Sequence, residues 1–125
     1  MNKVHFNSEN IAAAIGPYSH AVIVNDVIYT SGQIALNKEG IMQNQDIDSE
    51  IKQVMKNLKT LLEDCGTSME NVVKSTIYLY DIDDFELVNK IYGSYFKGNF
   101  PARETVQISL LPRSAKVEIS VIAIK

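Results

Sequence analysis

The chain has 125 residues, of which 46% are hydrophobic and 22% charged, and its formal net charge is −3. This length suits a single domain, spanning residues 1–125, that buries about two thirds of its unfolded surface, and the composition is ordinary for a globular protein. The acidic balance argues against a broad nucleic-acid surface, which needs clustered Lys and Arg. A single cysteine, Cys65, leaves no disulfide framework within the chain. The opening residues Met1 to Phe6 lack the apolar run of a signal peptide, and no stretch approaches the ~20 apolar residues of a spanning helix. The expected setting is the reducing cytoplasm, with no membrane.

In chain order, Ala21-Val22-Ile23-Val24 and Val27-Ile28-Tyr29-Thr30 flank Asn25-Asp26. Asn and Asp tolerate the left-handed backbone of a two-residue hairpin turn, so the pattern predicts a hairpin. From Asp48 to Cys65, Ile51, Val54, Met55, Leu58, Leu61, Leu62 and Cys65 recur at helical spacing. Asp46 or Asp48 can cap that helix, and Gly66 fits a left-handed stop. Thr67 to Glu70 reads as the cap of a short helical turn. Val72 to Tyr80 is rich in β-branched and aromatic residues and predicts a strand. Asp83 or Asp84 opens a second helix with Phe85, Val88, Ile91, Tyr92, Tyr95 and Phe96 on its inner face and Gly98 as its stop. Thr105 to Leu110 and Val117 to Ile124 are the last predicted strands.

The order strand, hairpin, helix, strand, helix, strand, strand lets both helices lie on one face of a single sheet, a two-layer α+β domain. In the last strand, Val117, Ile119, Val121 and Ala123 point one way, and Glu118, Ser120, Ile122 and Ile124 the other. Two helices cover only the first set. The mixed second face calls for a partner subunit.

Arg103 and Glu118 ride on two apolar segments expected to pair. Arginine grips a carboxylate through two parallel hydrogen bonds, and a partly buried glutamate tends to keep its proton. Together they suggest a pocket for a small carboxylic acid beside an acid/base group. Taken alone, Arg103 reads as a salt-bridge residue and Glu118 as a solvated charge. Tyr18, after Gly16-Pro17, is a loop phenol able to close a pocket. Gly32, after Ser31, permits close approach of a ligand to the backbone, or marks a bulge. Asn89 falls opposite the centre of its helix's apolar stripe, by default a solvated position. Cys65 lies on an apolar stripe, where a thiol is inert. His5 and His20 lack metal-ligand spacing, so no metal is expected, and no role falls to His20.

The run Pro101-Ala102-Arg103-Glu104-Thr105-Val106, through Leu111-Pro112 to Val117-Glu118-Ile119, resembles the C-terminal signature of the reactive-intermediate deaminase (RidA, YjgF) family. Gly16-Pro17-Tyr18-Ser19, Tyr29-Thr30-Ser31-Gly32-Gln33 and Val88-Asn89-Lys90-Ile91-Tyr92 also fit, and the resemblance runs from about Ala14 to Lys125. It implies a chorismate-mutase-like fold assembled as a homotrimer with sites in the clefts between subunits. It further implies an enamine/imine deaminase hydrolysing 2-aminoacrylate, 2-iminobutanoate and related 2-imino acids to 2-keto acids and ammonia, without a cofactor. Arg103 would fork the substrate carboxylate. Glu118, with the backbone around Thr105, would hold the attacking water. Tyr18, Ser31, Gly32, Asn89 and Tyr92 would shape the pocket. Many relatives carry a small residue and then a cysteine where Glu104 and Thr105 stand here; a water-based mechanism survives that change, and strand alternation turns Glu104 outward. Two rival readings are a ligand-binding or chaperone-like trimer without turnover and an RNA-binding or ribonuclease member of the family.

Overall fold

The architecture is that of a computed structural model, described over residues 2–125. The elements are β1 (Lys3–Phe6), β2 (Ala21–Val24), β3 (Val27–Thr30), α1 (Ile47–Asp64), β4 (Val72–Leu79), α2 (Phe85–Gly93), β5 (Ala102–Gln107) and β6 (Val117–Ile124), with short 3₁₀ turns before β4, α2 and β6. They form one six-stranded mixed sheet in the order β1-β2-β3-β6-β4-β5, backed by two helices. The α+β expectation holds.

Most pairings are antiparallel; β5 alone runs parallel to its neighbour, β4. The expected pairing of the last two strands does not occur, because β4 lies between them and bonds both. A parallel β5 follows from its route: the chain leaves β4, crosses over through α2 and returns in the same direction.

The hairpin turn is as expected, though only Asn25 takes a positive φ, of 54°. Asp46 caps α1 by accepting from the Ser49 N–H at 2.7 Å, and this bond holds its carboxyl below the usual range. Gly66 stops α1 at φ 90°. The second helix ends at Gly93, earlier than its apolar pattern suggested, and Gly98 lies beyond it. After Gly93 the turns tighten, with the Phe96 N–H bonding the Gly93 carbonyl at 3.2 Å. Phe96 still reaches the core, its ring 4.9 Å from that of Tyr92.

The core lies between helices and sheet. Ile51, Val54, Met55, Leu58, Leu61 and Leu62 are buried against Ile28, Ile77, Leu79, Val117 and Ile119. Cys65 is buried among them and its thiol is pushed up to about 11 by desolvation, consistent with an inert group. The other sheet face leaves Tyr29, Val106 and Ile124 exposed. No helix among the described residues is long and apolar enough to cross a membrane.

Candidate active site

In the β4–β5 register, Arg103 stands opposite Ser75 and Thr105 opposite Ile77. Paired residues share a face, and Ser75 and Ile77 are wholly buried beneath the helix layer, so Arg103 and Thr105 also point toward α2. The Arg103 guanidinium lies 5.3 Å from the ring centroid of Tyr92 and 5.6 Å from that of Phe85. Cation–π contact orients it while leaving its in-plane donors available. It forms no ion pair among the described residues. The Tyr92 hydroxyl donates to Ser75 Oγ at 2.8 Å, which fixes the ring, and burial raises its pKa. Asn89, Tyr92, Gly93, Phe100, Pro101 and Arg103 line a cavity of about 310 Å³. Asn89 is half-buried rather than solvated, because α2 lies across the edge of the sheet. Its Oδ1 and the Thr105 Oγ1 are buried without a hydrogen-bond partner.

A second cavity, of about 580 Å³, lies around Glu118 and includes Tyr18, His20, Ser31, Gly32 and Arg113 in its lining. Here β3 and β6 fall out of simple register. Tyr29 pairs with Ile122 and Gln33 bridges Ile119, so Thr30, Ser31 and Gly32 stand against only Ser120 and Val121. Thr30 Oγ1 heals this bulge by accepting from the Val121 N–H at 2.9 Å. The Ser31 hydroxyl donates to the Ser19 carbonyl at 2.6 Å, tying the bulge to the Tyr18 loop. Gly32 thereby meets Glu118 itself: a Cβ at residue 32 would lie 2.7 Å from Glu118 Cδ. The bulge reading of this glycine holds, and the group that approaches its backbone is the Glu118 side chain. Glu118 is half-buried, and desolvation alone raises its pKa. Tyr18 stands exposed at the rim.

The two halves do not meet within one chain. Glu118 pairs with Tyr78, on the face opposite the buried Ile77 and Ile119, whereas Arg103 looks toward the helices. The structure brings Arg103, Asn89 and Tyr92 together at one cavity, and Tyr18, Ser31, Gly32 and Glu118 at the other. Glu104 shares the open face and pairs with Lys74 at 2.6 Å, so it is turned away from Arg103 as expected.

Three residues escaped the sequence reading. Glu50 is wholly buried, and its Oε2 accepts the N–H groups of Lys116 at 2.6 Å and Val117 at 3.2 Å, clamping the entry to β6 just before Glu118. It precedes Val54 by four and Leu58 by eight, so helical spacing placed a charge on the apolar stripe. His20 accepts from the Ser8 N–H through Nδ1 at 3.0 Å and meets the Ala12 carbonyl through Nε2 at 2.9 Å, the neutral tautomer that organises the N-terminal loop. Nothing local in the sequence signals this. Arg113 reaches the rim only through the tertiary path of its turn.

A six-stranded sheet with two helices on one face, Arg103 lining one cavity and Glu118 another, defines a small α+β protein whose architecture is shared with Rid-family chains. The endoribonuclease L-PSP family model matches residues 8–125, and the chain belongs to that family. It is 46% identical over 113 residues to human 2-iminobutanoate/2-iminopropanoate deaminase, covering 90% of this chain and 82% of that protein. Protein DfrA of Myxococcus xanthus is 44% identical over 127 residues, with 99% and 97% covered. Among solved structures, the Rid-family protein YyfA of Yersinia pestis superposes with a TM-score of 0.96 at 44% identity, covering 99% of this chain and 100% of that one. TdcF of E. coli, solved with bound serine, gives 0.90 at 28% identity, with 95% and 96% covered.

Proposed function

We propose that the chain is an enamine/imine deaminase that hydrolyses 2-aminoacrylate, 2-iminobutanoate and related 2-imino acids to 2-keto acids and ammonia. The observation that carries this reading is the pair of unspent groups: a ring-held guanidinium without a counter-ion among the described residues, and a half-buried carboxylate pressed against a glycine. The relatives named as imine deaminases and the serine held by TdcF fit the same small-carboxylate chemistry.

Since the halves face opposite ways, the working site forms where Arg103 of one copy meets Glu118 of another, in a homotrimer that covers the open sheet face. Arg103 forks the substrate carboxylate. The backbone near Thr105 and the Glu118 carboxylate hold a water against the C=N carbon. As the water oxygen bonds carbon, Glu118 takes a proton from it. The carbinolamine that results from the protonated imine receives that proton on nitrogen from Glu118, the C–N bond breaks as the C=O forms, and the hydroxyl proton passes to the Glu118 carboxylate as ammonia leaves. Burial, which raises the Glu118 pKa above the ordinary carboxylate value, favours both transfers. Tyr18, Ser31 and Gly32 close one wall; Asn89 and Tyr92 close the other. We place this single-domain protein in the cytoplasm, where enzymes that release such imines would supply it.

The test generates 2-iminobutanoate with threonine dehydratase, traps free imine with semicarbazide and follows keto-acid release. Faster release and less semicarbazone, both lost in Arg103→Ala, support the reading; no acceleration refutes it.

One feature favours the ribonuclease reading. A concavity of about 990 Å³ lies along the outer helix layer, apart from Glu118, and carries Lys52, Lys56, Lys59 and Lys97. Two of these are already paired, Lys52 with Asp48 at 2.8 Å and Lys97 with Glu70 at 2.6 Å, and Tyr95 is its one aromatic. A strip for single-stranded RNA needs free charge and successive stacking rings. Salt-dependent RNA binding that survives Arg103→Ala would restore this second reading.

A further inference from the structure

Between Leu111 and Lys116 the chain makes a turn that its residues do not favour. Arg113 has φ 59° and ψ 24°, Ser114 has φ 54°, and the Ala115 N–H bonds the Pro112 carbonyl at 3.1 Å. Two consecutive positive φ values inside that bond define a type I′ turn, the form that selects Gly, Asn or Asp at its centre. Arg and Ser occupy it here without glycine's freedom. Such strain persists only where the surroundings over-determine it, and it concentrates at functional sites. The surroundings are present: buried Glu50 clamps the N–H groups of Lys116 and Val117, and the Tyr80 N–H bonds the Lys116 carbonyl at 3.0 Å.

The turn brings Arg113 to the lining of the cavity that holds Glu118. Among the residues lining that cavity, Arg113 is the one guanidinium or ammonium and Glu118 the one carboxylate. Both nitrogens of the neighbouring His20 ring are engaged, with Ser8 and Ala12. Arg113 is exposed, and among the described residues its side chain is held by one long 3.4 Å contact from its Nη2 to the Gly40 carbonyl, so it is free to reorient. An anionic imino acid approaching an ionised Glu118 in a protein of net charge −3 would otherwise meet repulsion. We propose that the strained turn holds Arg113 at the cavity mouth as the cation that captures the substrate carboxylate and passes it to Arg103. This role presupposes the deaminase reading of the same site. A short-lived imine gives capture particular value, since material not caught hydrolyses in solution. One rim charge acting at about 6 Å in a dielectric between about 40 and 80 changes anion capture roughly three- to tenfold.

The test compares wild type, Arg113→Gly and Ser114→Gly with 2-iminobutanoate at low and high ionic strength. Arg113→Gly suits the turn, so it should fold with Tm at or above wild type, raise KM three- to tenfold at low salt with kcat retained, and lose most of the salt dependence of kcat/KM. That split marks lost binding common to ground and transition states. Ser114→Gly relieves strain while keeping the charge, and should raise Tm with unchanged kinetics. An unchanged KM in Arg113→Gly, an undiminished salt dependence, or a fall in kcat alone overturns the proposal. If wild type turns over nothing, the deaminase reading fails. Calorimetric binding of 2-oxobutanoate then decides Arg113 by the same comparison: a three- to tenfold weaker, salt-insensitive affinity in Arg113→Gly supports capture, and equal affinity overturns it.

Discussion

Gly32→Ala isolates the placement of Glu118 better than any change to the glutamate. The added Cβ would lie 2.7 Å from Glu118 Cδ, 2.9 Å from Oε2 and 3.0 Å from Cγ, where ordinary contact begins at 3.4 Å. The carboxyl must therefore retreat by about 0.7 Å, the difference between 3.4 and 2.7 Å. The backbone at residue 32 lies outside the left-handed region, so alanine meets no conformational strain of its own. Alanine at a compatible position stabilises by ~0.4–1 kcal/mol through the unfolded chain, and moving Glu118 off its rotamer costs ~0.5–1.5 kcal/mol. Net stability should thus stay within about 1 kcal/mol of wild type. Activity should not: a displacement near 1 Å at a reacting group costs on the order of 10²-fold, so kcat should drop roughly 10- to 100-fold. The assay pairs threonine dehydratase with semicarbazide competition and a thermal melt on the same preparation. A folded variant within twofold of wild-type kcat would refute the placement argument and remove Glu118 from contact with the reaction.

Arg103→Ala should abolish acid binding and turnover while leaving Tm nearly unchanged. Two charge-assisted bonds of roughly 1.5 kcal/mol each amount to at least about 10²-fold in KM, and Arg103→Lys should restore only part because it lacks the fork. Glu118→Gln should keep carboxylate binding and lose about 10²–10⁴-fold in kcat. The same variant carries a pH signature. Burial raises the folded-state pKa of Glu118 above its unfolded value, so the penalty for ionising it is absent below about pH 4 and grows as pH rises through the folded-state pKa. The Tm of Glu118→Gln minus that of wild type should therefore increase with pH across that window; a flat or falling difference refutes the desolvation. Glu50→Ala strips the acceptor from the N–H groups of Lys116 and Val117 at the entry to β6 and should cost about 2–4 kcal/mol in urea denaturation, with Glu50→Gln losing less because it keeps one oxygen.

The sequence by itself determined the local elements. The apolar stripe from Ile51 to Leu62, the Asp46 cap, the Gly66 stop and the alternation of Val117 to Ala123 are properties of neighbouring residues, and periodicity records them directly. Its residues made Arg103 and Glu118 candidates for a carboxylate clamp and an acid/base group, and the motif resemblance, rather than spacing, joined Ser31 and Gly32 to that proposed site. The end of α2 was less legible: Tyr95 and Phe96 extend the apolar pattern past Gly93, since a core side chain can be delivered from a tightened turn as well as from a helix. Strand neighbours were beyond its reach. With β4 placed between β5 and β6, Arg103 and Glu118 fall on opposite faces of one sheet, a relation between segments far apart in the chain that no local pattern encodes. The burial of Glu50, the bonded ring of His20 and the left-handed turn at Arg113 depend likewise on which distant backbone groups lie opposite them. Local spacing reports which face a side chain takes, and only the closed tertiary path decides what that face meets.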